Sequence, residues 1–167
     1  QMLRAYGLDK SGQQLLAEHG YVQYEVSAYA RDGHQARHNL NYWSFGDFLG
    51  IGAGAHGKLS SPSGQIMRTW KTRLPKDYLD VDKAFLAGQR VLSNDELPFE
   101  FLMNVLRLND GCSSALFTQR TGLALSALSA ARAAAEARGL LLSDPARLTA
   151  SREGQLFLND LLQHFLT

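Results

Sequence analysis

The chain has little of what marks a disulfide-stapled, membrane-spanning or strongly charged protein. Its 167 residues include one cysteine, Cys112, so a disulfide framework and an all-cysteine zinc or iron–sulfur site are excluded. No apolar run approaches the roughly 18 residues of a membrane span, and the opening residues are no signal peptide. With four prolines and a net charge of +1, disordered and collagen-like classes are excluded too. We expect a cytoplasmic protein and, from its start at Gln1, a fragment of a longer polypeptide.

What is present describes one large folded domain or two small ones. Apolar residues make up 45% of the chain, enough to bury a sizeable core. Residues 1–94 carry 11 basic and 8 acidic side chains, whereas residues 95–167 carry 6 and 8. The acidic break from Ser93 to Pro98 lies between them. We therefore predict two modules, residues 1–94 and residues 95–167.

The first module has the pattern of an α/β fold. The predicted elements are a helix containing Leu3, Leu15 and Leu16, a strand over 21–29, a glycine-dense strand over 48–59, a strand over 66–72 and a helix from Pro75 to about Gln89. The turn cluster from Ser60 to Gly64 predicts a hairpin between the last two strands. Residues 30–47 show no clear periodicity and are interpreted as a polar, aromatic-rich loop.

The second module has the element order of a winged helix. One helix face is formed by Phe99, Leu102, Met103, Val105 and Leu106. Helices over 115–120 and 125–138, a two-stranded wing over 140–149 and a terminal helix follow. The presumed recognition helix carries only Arg132 and Arg138, with Glu136 between them, so attraction to phosphates is weak. A nucleic-acid partner is therefore not expected.

The segment from Arg37 to Trp43, RHNLNYW, is the most unusual stretch of the sequence. An imidazole suits iron or zinc, and neighbouring aromatic rings give a flat wall for a large planar ligand. The alternative is structural, with the asparagines capping turns and Tyr42 and Trp43 covering the end of a barrel. A zinc site on His34 and His38 would need a third ligand.

Glycines and basic residues dominate the region that follows. Gly52, Gly54 and Gly57 match the dinucleotide pattern GxGxxG, but no helix is predicted after them, so that interpretation fails. The glycines instead let the backbone approach a ligand or a facing strand closely. Seven basic residues suit a carboxylate-bearing or phosphate-bearing ligand, or a solvated face: Arg31, Arg37, Lys58, Arg68, Lys71, Arg73 and Lys76.

From Gln23 to Leu59 the chain resembles the HemW branch of the coproporphyrinogen-oxidase-like radical SAM proteins. The resemblance continues through RTWKTRLPKDYL and LPFEFLMNVLRL into LTASREGQLFLNDLL, and so covers essentially the whole chain. It implies the last elements of a radical SAM partial (β/α) barrel followed by a winged-helix-like α+β domain. It also implies a haem chaperone, which receives haem and passes it to an acceptor protein.

The resemblance assigns roles to particular residues. The HNxxYW signature is complete, so His38 becomes the candidate ligand to haem iron, with Asn39, Tyr42 and Trp43 as haem-binding partners. The basic residues become possible partners of the propionates. The glycine ribbon, Gly50 to Gly57, corresponds by this resemblance to the barrel end that faces S-adenosylmethionine. Its implied contacts in a full-length protein are Gly52, Ala53, Gly54, Ala55 and His56.

The family's four-iron cluster has no counterpart in this sequence. Its three closely spaced cysteines are absent, and Cys112 lies in the other module. The cluster and S-adenosylmethionine are thus expected only in a full-length protein, and this fragment is not expected to be catalytic. Two alternatives to the haem chaperone stay open: an oxygen-independent coproporphyrinogen III oxidase, and a non-catalytic protein-interaction module.

Overall fold

The computed structural model describes residues 12–166, so the predicted role of Leu3 in a first helix lies outside the described residues. Residues 12–18 are helical. The predicted single strand over 21–29 is wrong, because two short antiparallel strands, β1 (Val22–Glu25) and β2 (Ala28–Ala30), form a hairpin there. The chain turns because the Val26 backbone N–H donates to the carbonyl of Arg107 and the Ser27 hydroxyl donates to Glu25.

A three-stranded antiparallel sheet forms the centre of the first half. Its order is β3 (His56–Ser60), β4 (Ile66–Lys71) and β5 (Leu86–Val91). The predicted hairpin between β3 and β4 is confirmed. The predicted long helix from Pro75 is wrong beyond its first turn, α2 (Pro75–Tyr78). The Asp80 carboxylate accepts from the Asp82 backbone N–H, which favours a turn, and the following residues pair with β4 instead.

The segment predicted to be an aperiodic loop contains a helix, α1 (Arg37–Trp43). After it Phe45 adopts a left-handed conformation with φ 56°, uncommon for a residue with a side chain. Its ring is 1% exposed and packs edge-to-face on Phe101, with centroids 5.4 Å apart. Burial of the ring offsets the backbone cost, and the Gly46 N–H closes the turn on the Asn41 carbonyl at 2.8 Å.

The second half is mainly helical. Its elements are α3 (Leu97–Val105), β6 (Cys112–Ser113), α4 (Ser114–Thr121), a 3-10 helix (Leu125–Leu128), α5 (Ser129–Ala137), β7 (Arg147–Leu148), α6 (Arg152–Leu156) and α7 (Leu158–Gln163). β7 pairs with β6, and the predicted wing is reduced to a single bridge between Leu141 and Ala150. Gly139 ends the alanine-rich helix with φ 70°, as predicted.

One continuous apolar cluster runs through both halves. It contains Phe45 and Ile66 from the first half together with the inner faces of α3, α4 and α7. On α3, Leu102 is fully buried as predicted, but Met103 is 36% exposed and faces away from the core. Phe101, which the predicted face omitted, is fully buried. None of the helices in residues 12–166 is both long and apolar enough to cross a membrane.

Candidate functional site

A cavity of about 560 Å³ opens between the three-stranded sheet and helices α1 and α3. This volume is in the range of small-molecule and cofactor sites. The lining combines aromatic, cationic and imidazole groups from both halves of the chain. The lining residues are Tyr42, Trp43, His56, Arg68, Trp70, Arg90, Glu100, Met103, Asn104 and Arg107.

The floor of the cavity is one face of the sheet. Antiparallel register places His56 opposite Trp70 and Trp70 opposite Gly88, and the next row places Arg68 opposite Arg90. Side chains directly opposite one another project to the same face. A Cβ atom on Gly88 would lie 2.3 Å from the Trp70 ring, so the indole lies against the strand only because glycine is there.

The α1 wall is built from stacked aromatic rings. Tyr42 lies edge-on to Trp43, with centroids 5.0 Å apart, and packs on Phe48 at 4.2 Å. The guanidinium of Arg107 lies 4.3 Å from the centroid of the Trp43 ring. Asn39 donates to the Tyr24 hydroxyl at 3.0 Å, which ties α1 to the first hairpin. The wall is therefore fixed from both sides.

Two buried N–H groups on this wall have no hydrogen-bond partner in the described part of the chain. They are the indole Nε1 of Trp43 and the Nε of Arg107, and both side chains line the cavity. Buried donors are nearly always satisfied in native proteins.

The charge of the cavity is positive but partly compensated. Arg68 donates to Glu100 at 2.5 Å, and both side chains are 15% exposed. Arg90 is 46% exposed and pairs with Glu96 at the rim at 2.5 Å. Arg107 lies 3.4 Å from the buried carboxylate of Glu25. Arg90 is thus the arginine best placed to exchange its exposed partner for a ligand carboxylate.

Of the seven basic residues singled out in the sequence, only Arg68 lines the cavity. Lys58 is 2% exposed, donates to Asp47 at 2.8 Å and lies 4.3 Å from the centre of the Phe45 ring. Burial lowers the pKa of Lys58, and the bond to Asp47 opposes that shift. Burial also raises the pKa of Asp47, but hydrogen bonds from Lys58 and Ser60 outweigh it and hold that pKa below its ordinary value. Lys58 is a structural cation.

His38 lies on the exposed part of α1 and is absent from the cavity lining. Its ring centroid is 6.4 Å from that of Tyr42, which does line the cavity, so the HNxxYW signature is divided between the surface and the wall. His34, also exposed, contacts the Asp32 carbonyl through its ring nitrogen. Within residues 12–166 no group of three side chains of metal-binding type is present, and the zinc alternative has no support.

The glycine ribbon is held to its neighbours through its backbone N–H groups. The Gly52 N–H donates to the Tyr78 hydroxyl at 3.1 Å, and the Gly54 N–H donates to the Thr72 carbonyl at 2.9 Å. A Cβ on Gly50 would lie 2.2 Å from the carbonyl oxygen of His56, so close backbone packing is required there. Of the five ribbon residues with an implied cofactor role, His56 reaches the cavity. Gly52, Ala53, Gly54 and Ala55 remain predicted contacts of a longer protein.

Six cavity residues were not predicted from the sequence to belong to a site: Trp70, Arg90, Glu100, Met103, Asn104 and Arg107. Trp70 had a usable signal, because it alternates with Arg68 on a strand that was predicted. Arg90 directly follows the helix that was wrongly predicted to end at about Gln89, and Met103 was assigned to a core face. Arg107 had no local signal, since its partners Trp43 and Glu25 lie more than 60 residues away in sequence.

Comparisons with known proteins agree with this architecture. Residues 92–157 match the family model described as HemN C-terminal domain. The solved structure titled "Coproporphyrinogen III oxidase (HemN) from Escherichia coli is a Radical SAM enzyme" superposes with a TM-score of 0.64, covering 95% of this chain and 40% of that one at 15% identity. At that identity the likeness shows the fold alone. The fold therefore matches a segment of that solved structure, and its second half carries the match to the HemN C-terminal domain.

The curated proteins found by sequence are more similar to this chain than that solved structure is. The chain is 44% identical over 157 residues to the protein named Heme chaperone HemW from Escherichia coli (strain K12), covering 94% of this chain and 41% of that protein. It is also 44% identical over 158 residues to the Heme chaperone HemW of Haemophilus influenzae, with 95% and 41% covered. The chain is therefore similar to proteins named Heme chaperone HemW and spans about two fifths of their length. The predicted resemblance is confirmed, and the oxidase and interaction-module alternatives are not favoured.

Proposed function

We propose that this chain is the haem-binding C-terminal segment of a cytoplasmic haem chaperone, which holds haem for transfer to an acceptor protein. The observation that carries the proposal is the cavity, because it brings the Tyr42 and Trp43 of the signature together with Trp70 and three arginines. The names of the relatives support it independently. Haem is the cargo of such a protein.

The cavity suits a planar, partly apolar dianion. Aromatic side chains on α1 and on the sheet offer apolar surface to a macrocycle. Arginine guanidinium groups bind carboxylates in a planar, bidentate manner, and Arg90 and Arg107 both line the cavity. The open side of the cavity also suits a chaperone, because a cargo that is to be handed over must be reachable by an acceptor.

The radical SAM cofactors are proposed only for a longer protein. A four-iron cluster does not fit this chain, because thiolates must bind the irons and the one thiol, Cys112, is buried in β6. S-adenosylmethionine contacts along Gly52 to His56 stay a prediction for a protein that carries the rest of the barrel.

Haemin titration of the purified chain, followed in the Soret region, tests the proposal. We expect one haem per chain, and Trp70→Leu should weaken binding about tenfold, or roughly 1.4 kcal/mol. Phe85→Leu is the matched control, because Phe85 is an exposed aromatic beside the same sheet and does not line the cavity. Parent-like binding by Trp70→Leu, or no saturable binding by the parent, would contradict the proposal.

The contribution of charge is tested by a second pair of variants. Arg90→Gln should weaken haemin binding and reduce its dependence on salt, whereas Arg73→Gln, an exposed arginine outside the cavity, should behave like the parent. Equal effects of both substitutions would mean that only the overall charge of the protein attracts the ligand.

A further inference from the structure

The first turn of α1 has little support from its own sequence. The helix is seven residues long, and its N-cap residue, Ala36, has no side chain that can accept from the free backbone N–H groups. Arg37 places a cation at the helix start, where the helix dipole favours an anion. A helix this short does not persist in water without tertiary contacts. The position of α1 is therefore set by what its side chains touch.

These contacts differ between the two ends of the helix. In the last turn, the rings of Tyr42 and Trp43 pack on side chains from other parts of the chain. In the first turn, among the residues that the structure describes, one side chain makes a hydrogen bond to another element: the amide of Asn39 donates to the Tyr24 hydroxyl at 3.0 Å. The contact with Tyr24 is therefore the polar anchor of the end of α1 that carries His38.

Tyr24 is a fixed anchor because β1 is tied to the second half of the chain. Its carbonyl accepts from the Asn109 backbone N–H at 3.1 Å, and the Asn109 side chain donates to the Gln23 carbonyl at 2.7 Å. The next residue, Glu25, forms a bridge with Leu108. Three successive residues of β1 are thus held by the turn after α3.

Tyr24 and Asn39 both lie outside the cavity lining, so neither is placed to touch a macrocycle there. Asn39 directly follows His38, which is exposed. Successive side chains of an α-helix point about 100° apart. With the Asn39 amide turned inward to β1, the direction of the His38 imidazole is fixed relative to the aromatic wall on the same helix.

We propose that Tyr24 is a positioning residue for haem: through Asn39 it holds the first turn of α1, and so directs the His38 imidazole at the iron. The iron ligand itself is the one that family resemblance implies. This inference rests on the proposed haem-binding function and deepens it, because it adds a residue outside the HNxxYW signature. Asn39 then contributes to the signature by orienting its histidine.

Tyr24→Phe tests the proposal because it removes the accepting oxygen and keeps the ring. We expect haemin to bind about threefold to tenfold more weakly, the range for loss of one hydrogen bond. At saturating haemin, the Soret position and the electron paramagnetic resonance of the ferric complex should also change, because the imidazole is held less uniformly. Tyr29→Phe is the matched control: Tyr29 lies on β2 of the same hairpin, is also half-buried, and its hydroxyl makes no hydrogen bond within residues 12–166.

A second variant shows whether Tyr24 acts through Asn39. Asn39→Ala should weaken haemin binding to a similar extent, and the double variant with Tyr24→Phe should bind no more weakly than the weaker-binding single variant. Additive losses would mean that the two residues act separately, and would overturn the proposal. Far-UV circular dichroism checks that each variant is folded, and Asn39→Ala with its own haem spectrum carries the test if Tyr24→Phe does not fold.

The haem spectrum separates positioning from a merely structural role. If Tyr24→Phe lowers the free energy of unfolding but keeps the parent's haem spectrum and affinity, Tyr24 supports the fold only, and this inference fails while the proposed function stands. If the parent itself binds no haem, the proposed function fails, and this inference fails with it.

Discussion

The two halves of the molecule bury different kinds of side chain. In the second half the fully buried positions are apolar, as Phe117, Leu128 and Leu161 show. In the first half two of the most buried side chains are charged, Glu25 and Lys58, both 2% exposed. Each of the two pairs with a partly exposed partner, Lys58 with Asp47 and Glu25 with Arg107, and ion pairs that include a buried charge add little net stability over apolar packing. The apolar half thus acts as the stable support, and the half with buried charges forms most of the cavity.

The largest expected effect comes from Phe101, which joins the two halves. Its ring lies 5.4 Å from Phe45 and 5.3 Å from Phe117, centroid to centroid, and is fully buried. Phe101→Ala should lower the free energy of unfolding by about 3–5 kcal/mol. Urea denaturation measures the change, with the exposed Phe157→Ala as control. If the variant loses the second half but keeps Trp43 and Trp70 in a native environment, the halves are independent.

A smaller loss is expected when Lys58 loses its partner. Asp47→Ala leaves the buried ammonium unpaired, and breaking such a pair costs roughly 3–5 kcal/mol. We expect the lower end of that range, because the Asp47 side chain is 41% exposed. Lys58→Met should cost less than Asp47→Ala, since it removes the charge that requires a partner. The reverse order in urea denaturation would contradict the structural role of this pair.

The pair of Asp47 and Lys58 also makes the folding stability of the first half depend on pH in the acid range. The pKa of Asp47 in the folded chain is below its ordinary value of 3.8. The folded state therefore binds the proton less readily, and the stability from the pair is present above pH 3.8 and is lost as pH falls through the lowered pKa. Asp47→Asn should flatten the acid limb of the stability curve. An unchanged acid limb would show that other carboxylates control it.

Gly88→Ala should affect the cavity more than the fold. The new methyl would meet the Trp70 ring at 2.3 Å, so the indole must move off the strand. We expect a stability cost of about 1–3 kcal/mol, as for other overpacked sites, together with a changed tryptophan fluorescence and weaker haemin binding. Gly64→Ala is not a suitable control, because its φ of 84° adds backbone strain. Ala87→Gly, at an exposed neighbouring position, is better.

The smallest effect is expected at Cys112. Burial raises the pKa of this thiol to about 12, against a weaker opposing influence of Arg147. Only about one thiol in 10⁴ is then ionised at pH 8, and the thiolate is the reactive form. A disulfide exchange reagent should leave the native protein unmodified and react with one thiol after urea denaturation. Rapid native modification would mean that the second half opens readily.

The sequence predicted best where local chemistry decides the structure. The β3–β4 hairpin follows from the turn residues between its strands, and the end of the alanine-rich helix follows from Gly139. Local reasoning failed where distant residues compete. The chain after Tyr78 looks helical, yet it becomes β5 because β4 offers it a pairing edge that no local pattern reveals.

The site was predictable only in part for the same reason. Tyr42 and Trp43 were found because aromatic and asparagine residues are concentrated around them. Arg107 could not be predicted as a site residue, because its place in the cavity depends on stacking against Trp43, which is distant in sequence. The assignment of His38 as the ligand to haem iron stays a prediction.

The bridge between Glu25 and Leu108 has a consequence for synthesis on the ribosome. The first hairpin gains the backbone partners at Arg107 and Asn109 only after about 80 more residues have been made. At ~5–20 residues per second that interval is roughly 4–16 s. During that interval the nascent hairpin, and the α1 wall that Asn39 ties to it, lack these partners. The cavity can be completed only after α3 and the turn that follows it have been translated.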